Sequence, residues 1–205
     1  MPFLMRLSRL IDVFNDMIGK LAMWLILAAT LISAGNAIVR KVFHTSSNSL
    51  LEIQWYLFAA VFMLGGGYAF LRNAHVRIDF VSSRFSARGR NWVDVIGIVA
   101  FLFPLCWMMG TLGWPTFIQA WESGEMSSNA GGLIRWPVYG LIPLGFAILF
   151  LQGVSELIKR FNFLFCAGPD PLEHTGPSET ELLAKEIAEA EKQAAESVGA
   201  QTQKH

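Results

Sequence analysis

The chain has few cysteines and no recognisable catalytic motif. Only Cys106 and Cys166 are present in 205 residues, and we interpret both as packing or bystander residues, since one pair predicts no disulfide framework. There is no Gly-x-Ser-x-Gly nucleophile elbow, no Gly-x-x-x-x-Gly-Lys phosphate loop and no metal-ligand spacing. We therefore predict no enzyme, and no catalytic, cofactor-binding or metal-binding residue. No nucleic-acid partner is expected.

Charge is also missing from four long stretches of sequence. These stretches hold 19, 19, 27 and 20 residues: Leu21–Val39, Ile53–Leu71, Val95–Trp121 and Trp136–Ser155. A helix needs about 20 residues to cross ~30 Å of hydrocarbon, and in lipid the backbone must satisfy its own hydrogen bonds. The sequence thus predicts an all-α integral membrane protein with four transmembrane helices, at about residues 19–41, 51–71, 92–114 and 136–158.

The distribution of Lys and Arg predicts the orientation. Ten of these residues lie before span one, between spans two and three, or just after span four, against three on the opposite side. The positive-inside rule therefore places both termini in the cytoplasm. We expect Leu21–Val39 to remain in the mature protein, because no convincing signal-peptidase site follows it.

The chain divides by composition into a membrane domain and a tail. Residues 1–165 carry the four spans, whereas 166–205 contain Gly-Pro-Asp-Pro at 168–171 and are acidic, with eight acids and three lysines from Asp170 onward. We predict a disordered or marginally helical cytoplasmic tail. Within the membrane domain, residues 3–18 and 76–90 mix apolar and charged positions, which predicts interfacial helices that contact lipids. An ordinary positive-inside loop is an equal alternative for 76–90.

Two groups of residues in the spans are candidates for helix or partner contacts. Span one presents small and amide side chains at close spacing, which favours helix packing: Ala29, Ser33, Asn36 and Ala37. At the outer end of span two, Glu52, Trp55 and Tyr56 share a face. Glu52 either stabilises the helix start or bonds a partner protein. The spans offer no buried carboxylate for ion coupling.

The residues around the end of span two resemble a known family. The octet Arg72-Asn-Ala-His-Val-Arg-Ile-Asp79 has the form Arg-x-x-His-Val-x-Ile-Asp, found in the small membrane subunits of tripartite ATP-independent periplasmic (TRAP) transporters. Glu52–Ala60, Trp136-Pro137 and Ile142–Phe146 add to this likeness. Gly124–Gly132 is similar to the branch named for mannitol or chloroaromatic compounds. The resemblance covers roughly residues 5–162.

This resemblance implies a partner set and a role. The partners would be a large multi-span permease and a periplasmic solute-binding protein. Sodium would drive uptake of an organic acid, and the small subunit would be the scaffold of the large elevator subunit. Rival interpretations are a stand-alone four-helix exporter, which would need a buried acid, and a membrane assembly factor or anchor.

The remaining candidate residues lie at the two membrane surfaces. Arg72, His75, Arg77 and Asp79 form either a helix stop with a local Arg–Asp pair or a cytoplasmic contact with the large subunit. On the outer side, the segment from Trp114 to Arg135 is placed to touch the docked binding protein. Its charged candidates are Glu122, Glu125 and Arg135.

Overall fold

The structure, a computed structural model, describes residues 2–44, 48–73, 86–166 and 168–171. Within these ranges the chain is helical, with five α-helices: α1 (Pro2–Phe43), α2 (Asn48–Leu71), α3 (Ala87–Gly97), α4 (Phe103–Ser123) and α5 (Trp136–Cys166). A π-helical turn, Ile98–Leu102, joins α3 to α4, so that Ala87–Ser123 is one continuous helical stretch. Four stretches are long and apolar enough to span a membrane, which confirms the predicted four-span, all-helical fold.

The first helix is much longer than a membrane crossing. Its 42 residues, at about 1.5 Å per residue, extend roughly 63 Å, twice the thickness of the hydrocarbon core. The sequence predicts a separate interfacial helix over residues 3–18, but in the structure these residues continue directly into the first span. The helix continues without a break because no proline follows Pro2 within it. Gly19, at the junction, has no side chain and lets the Tyr68 ring of α2 approach closely. Most of the second predicted interfacial segment, 76–90, lies outside the described residues.

Helix α5 occupies the centre of the fold. It packs against α1, α2 and all three parts of the third span, and 33% of its apolar window is buried, against 17% for the first and third spans. Two glycines permit these close contacts. A Cβ at Gly145 would lie 2.6 Å from the Met63 carbonyl oxygen of α2, and one at Gly153 would meet Phe103 at 2.8 Å. The other helices thus surround α5 through its small residues.

The third span changes its helical pitch near its inner end. The amide of Phe103 bonds the Ile98 carbonyl in the π-helical turn. Pro104 follows within the same continuous helical stretch, and because it has no N–H it cannot donate to a carbonyl of the preceding turn. At the outer ends of α4 and α5, Trp114, Phe117, Trp121 and Trp136 contact one another, with Trp121 and Trp136 rings 4.6 Å apart. These aromatics suit the membrane–water boundary.

The helices belong to one compact unit, Met1–Gly168. Of the second unit, Pro169–His205, the structure describes only residues 169–171. The domain boundary and the acidic tail therefore stay predictions, as does the cytoplasmic placement of both termini.

Candidate functional site

The carboxylate of Glu52 organises one end of the molecule, which is the outer end in the predicted orientation. Although it lies in the first turns of α2, its residue is only 2% exposed. It accepts hydrogen bonds from the Ser127 hydroxyl at 2.5 Å and the Asn129 side-chain amide at 2.8 Å, both on Oε1, and from the Leu133 backbone N–H at 2.7 Å on Oε2. Three donors around one buried carboxylate satisfy its charge within the chain.

The donors belong to the loop that joins α4 to α5. Gly124 ends α4 in the left-handed conformation, φ 61°, which glycine adopts without strain. The loop then folds back on itself, with an antiparallel bridge between Met126 and Ile134 and a hydrogen bond from the Ser127 N–H to the Leu133 carbonyl at 2.9 Å. Because the loop folds back in this way, the Ser127 hydroxyl, the Asn129 amide and the Leu133 N–H all lie on the side that faces the Glu52 carboxylate.

A second polar pair closes the loop at its base. The Arg135 guanidinium contacts the Glu125 carboxylate at 3.0 Å and the Tyr139 hydroxyl at 3.3 Å, and these neighbours raise the pKa of Arg135. Tyr56 donates to the Ile134 carbonyl at 3.1 Å. Tyr56, Arg135 and Tyr139, together with Glu52 and the exposed Trp55, line a cavity of about 230 Å³. It is large enough for one side chain of a partner.

The structure therefore gathers most of the outer candidates. Glu52, Trp55, Tyr56 and Arg135 line one cavity and Glu125 pairs with Arg135, whereas Glu122 is exposed at the end of α4. Their contact with a partner stays a prediction. The hydrogen bonds from the loop between α4 and α5 to Glu52 were not predicted. Only a helix-start role and a partner contact were considered for Glu52, and this loop lies about 80 positions later in the sequence.

The other candidates are dispersed. Arg72 donates to the Asp16 carboxylate of α1 at 2.5 Å, and His75, Arg77 and Asp79 lie outside the described residues. Of the residues expected to pack helices in span one, Ala29 and Asn36 are buried, whereas Ser33 and Ala37 are exposed. Ser33 and Ala37 are accessible to a helix of another protein, and their role in helix packing stays a prediction.

A buried cluster of charges at the opposite end was missed by sequence reasoning. Arg160 of α5, with a side chain 1% exposed, contacts Asp94 of α3 at 2.9 Å and also Glu156, one turn earlier in α5. Glu156 is 3% exposed and contacts Lys159 as well. The expectation that no buried carboxylate accompanies the spans is therefore wrong. The spacing of Glu156 and Arg160, four residues apart on one helix, was the available signal.

The same cluster extends to α1. Asp12 accepts from the Ser155 hydroxyl at 2.7 Å and the Gln152 amide at 3.0 Å, and it lies 3.3 Å from the Lys159 ammonium. One turn earlier, the Ser8 and Ser155 hydroxyls are 2.8 Å apart. The polar face of residues 3–18 thus packs on α5, while the apolar residues Phe3, Leu7, Leu10 and Met17 are exposed. We name this set of residues the inner charge cluster: Asp12, Asp94, Gln152, Ser155, Glu156, Lys159 and Arg160.

The depth of the inner charge cluster follows from helix geometry. Glu156 lies 20 residues after Trp136, which is about 30 Å along the helix and equals the thickness of the hydrocarbon core. The cluster is therefore placed at a boundary of the membrane, the inner one in the predicted orientation, rather than at the bilayer centre. Among the described residues, no group of His, Cys, Asp and Glu side chains is arranged to hold a metal ion.

Comparison with known proteins identifies the family. The family model described as tripartite ATP-independent periplasmic transporters, DctQ component, matches residues 29–163, more than half of the chain. The chain belongs to this family. It is also similar to the C4-dicarboxylate TRAP transporter small permease protein DctQ of Vibrio cholerae serotype O1, with 26% identity over 186 residues, 80% of this chain and 78% of that protein. No solved structure matches it.

Family membership confirms the resemblance recognised in the sequence. The DctQ-like chain is a small subunit of a TRAP transporter and a multi-pass protein of the inner membrane. Its matched region, 29–163, includes Glu52 and the loop that surrounds it, but begins after Asp12.

Replacing Glu52 should loosen the outer loop of this DctQ-like subunit. In Glu52→Ala, the Leu133 N–H loses a charged acceptor, and its hydrogen exchange should accelerate by about tenfold to a hundredfold, since such a bond is worth ~1.5–3 kcal/mol. Exchange at the loop amides of the purified chain measures this. Glu122→Ala, at an exposed acid beside the same loop, is the control and should leave the rate unchanged. Equal rates in wild type and Glu52→Ala would contradict the assignment.

Removing Arg160 should destabilise the helix assembly strongly. Arg160→Leu leaves two carboxylates, Glu156 and Asp94, without their shared cation, a change that costs ~3–5 kcal/mol in buried pairs. The exposed pair of Lys20 with Asp16, 2.8 Å apart, offers a control, because Lys20→Leu should cost less than ~1 kcal/mol. Unfolding of the detergent-purified chain measures both variants. Similar losses of unfolding free energy in Arg160→Leu and Lys20→Leu would show that burial of the Arg160 cluster adds no stability.

Proposed function

We propose that this subunit is the static scaffold of a sodium-driven importer of an organic acid. The large permease subunit would carry the substrate and the ion, and a periplasmic binding protein would deliver the substrate. The observation that carries this proposal is the placement of charge. The described charged side chains in and near the spans lie at the two ends, and the two buried acids, Glu52 and Glu156, are each surrounded by donors of their own chain.

A transport site needs groups that can exchange partners during the cycle. Glu52 holds a loop in place, and Glu156 is bound by both Lys159 and Arg160. Charges that stabilise their own fold in this way are costly to separate. These contacts favour a rigid support for a moving neighbour over a chain that itself binds and releases solute.

The substrate class in the proposal comes from the relative. The Vibrio cholerae protein is named for C4-dicarboxylate transport, so a small dicarboxylate such as succinate is the first substrate to test. The stand-alone exporter is disfavoured by the family match. The assembly factor or anchor remains the competing role, and transport measurements with and without the chain distinguish it from the scaffold.

Uptake into proteoliposomes tests the proposed role. The chain is purified with its co-expressed large subunit, reconstituted, and supplied with binding protein and labelled dicarboxylate under an inward sodium gradient. We expect uptake from the assembly and none from this chain alone. The large subunit reconstituted without this chain should lose most of the rate. Accumulation by this chain alone, or a full rate without it, would contradict the scaffold role.

We also propose that the outer loop contacts the binding protein. Arg135 and Glu125 sit at the loop base, and Glu122 is exposed at the end of α4. Interface charges mainly steer association, so reversing each charge (Arg135→Glu, Glu125→Lys, Glu122→Lys) should change the affinity of the reconstituted assembly for binding protein by about threefold to tenfold. Lys20→Glu, at the opposite end of the molecule, is the control. Unaltered affinity in all three variants would remove this role from the loop.

A further inference from the structure

The cavity beside Glu52 carries an excess of negative charge. Glu52 and Arg135 both line it, and Glu125 pairs with Arg135 at its base, so that two carboxylates accompany one guanidinium. Three hydrogen bonds hold the Glu52 carboxylate in place, but all three of their donors are neutral groups. Within the described ranges of the chain, no Lys or Arg side chain forms an ion pair with Glu52. The site is therefore one positive charge short of neutrality.

The Glu52 carboxylate has room for one more donor. Oε1 accepts two hydrogen bonds, from Ser127 and Asn129, whereas Oε2 accepts one, from the Leu133 N–H. A carboxylate oxygen can accept two, so one acceptor position on Oε2 is open. Because Glu52 lines the cavity, a donor that enters the cavity can approach this carboxylate. One open position suits a single N–H and not the parallel pair of N–H groups that an arginine donates.

The remaining walls of the cavity suit a lysine side chain. Trp55, Tyr56 and Tyr139 line it, and Trp55 is 62% exposed, which leaves its ring accessible. The negative face of an aromatic ring attracts an ammonium group within ~6 Å of its centre, and tryptophan does so most strongly. Val138 adds an aliphatic surface against which the methylene groups of a lysine can pack. The volume of about 230 Å³ admits one such side chain.

An acidic side chain fits this cavity less well than a basic one. The Arg135 guanidinium is its natural partner, but Glu125 already binds that guanidinium at 3.0 Å, and the Tyr139 hydroxyl contacts it at 3.3 Å. A further carboxylate would also lie close to Glu52 and be repelled by it. The sum of the charges therefore favours a cation.

We propose that this cavity receives a lysine side chain of the periplasmic binding protein. The ammonium group lies against Trp55 and donates to Glu52, and it supplies the positive charge that the site lacks. The inference rests on the proposed function, in which the outer loop contacts the binding protein, and it adds the chemistry of that contact. It also gives the contact a sign, because removing a positive charge from the site should strengthen binding and removing a negative charge should weaken it.

Two variants that neutralise opposite ends of one ion pair test the proposal. Arg135→Gln and Glu125→Gln break the same contact, and both side chains are partly exposed, at 36% and 41%. If the pair only supports the shape of the loop, both variants should weaken binding, whereas a lysine guest predicts opposite changes. The affinity for the binding protein is measured on the purified assembly of this chain with the large subunit. Lys20→Gln, in an exposed ion pair at the opposite end, is the control.

We expect Arg135→Gln to bind the binding protein about threefold more tightly and Glu125→Gln about threefold more weakly, as is typical of exposed charges. Lys20→Gln should match wild type. Trp55→Leu should weaken binding by about threefold through loss of the cation–π contact. Trp24→Leu is its matched control and should leave the affinity unchanged, because Trp24 is a similarly exposed tryptophan of α1 that does not line the cavity.

Cross-linking identifies the lysine. In a Cys166→Ser background, Trp55→Cys is coupled to amines of the binding protein through a maleimide–succinimidyl ester reagent, and the linked peptide is identified by mass spectrometry. Changing that lysine to glutamine should abolish the difference in affinity between Arg135→Gln and Glu125→Gln.

The possible failures of this inference and of the proposed loop contact are distinguishable. Weaker binding in both Arg135→Gln and Glu125→Gln, or cross-linking of Trp55→Cys to the large subunit instead, would overturn the lysine site and leave the loop contact standing. Tighter binding in Glu125→Gln with weaker binding in Arg135→Gln would indicate an acidic guest and would also overturn it. Unchanged affinity in both variants and in Trp55→Leu would remove the loop contact itself, and the lysine site with it.

Discussion

The arrangement of the helices depends on a buried guanidinium at one boundary of the membrane. Arg160 joins α5 to α3 through Asp94 and shares Glu156 with Lys159, which in turn reaches Asp12 of α1. A buried charge is tolerated only when its partners are close and well oriented. The positions of three helices relative to one another are therefore constrained at this level, and the glycine contacts of α5 continue the same packing toward the outer side.

Sequence alone predicted the spans because the physical signal is strong. Long stretches without charge are typical of membrane spans and rare in soluble domains, and the helices contain all four of them. The face on which residues 3–18 pack was not predicted. An amphipathic helix at a membrane is usually taken to turn its polar side to water, whereas here Ser8, Asp12 and Asn15, at helical spacing, face into the protein. The polar partners that reverse this orientation lie about 140 positions later in the chain.

The outer site illustrates another limit of sequence reasoning. Glu52, Trp55, Tyr56, Glu125 and Arg135 were selected from local spacing and the family resemblance, and the structure brings them together. The donors Ser127, Asn129 and Leu133 were not selected, because a loop has no periodicity that would indicate its target. Their bonds to a buried carboxylate become visible only when the tertiary structure places the loop over α2.

The unequal lengths of the helices determine how the subunit sits in a bilayer. Helix α2 has 24 residues and suits one crossing, but α1, the third span and α5 have 42, 37 and 31. Their mutual contacts near Asp12, Asp94 and Arg160 place the surplus at one end, so sliding one helix past another cannot absorb it. The charge-free stretches of α1, α2 and α5 are nevertheless 19 or 20 residues long, enough for one crossing each. The surplus is therefore charged, amphipathic helix that extends beyond the hydrocarbon core at that end.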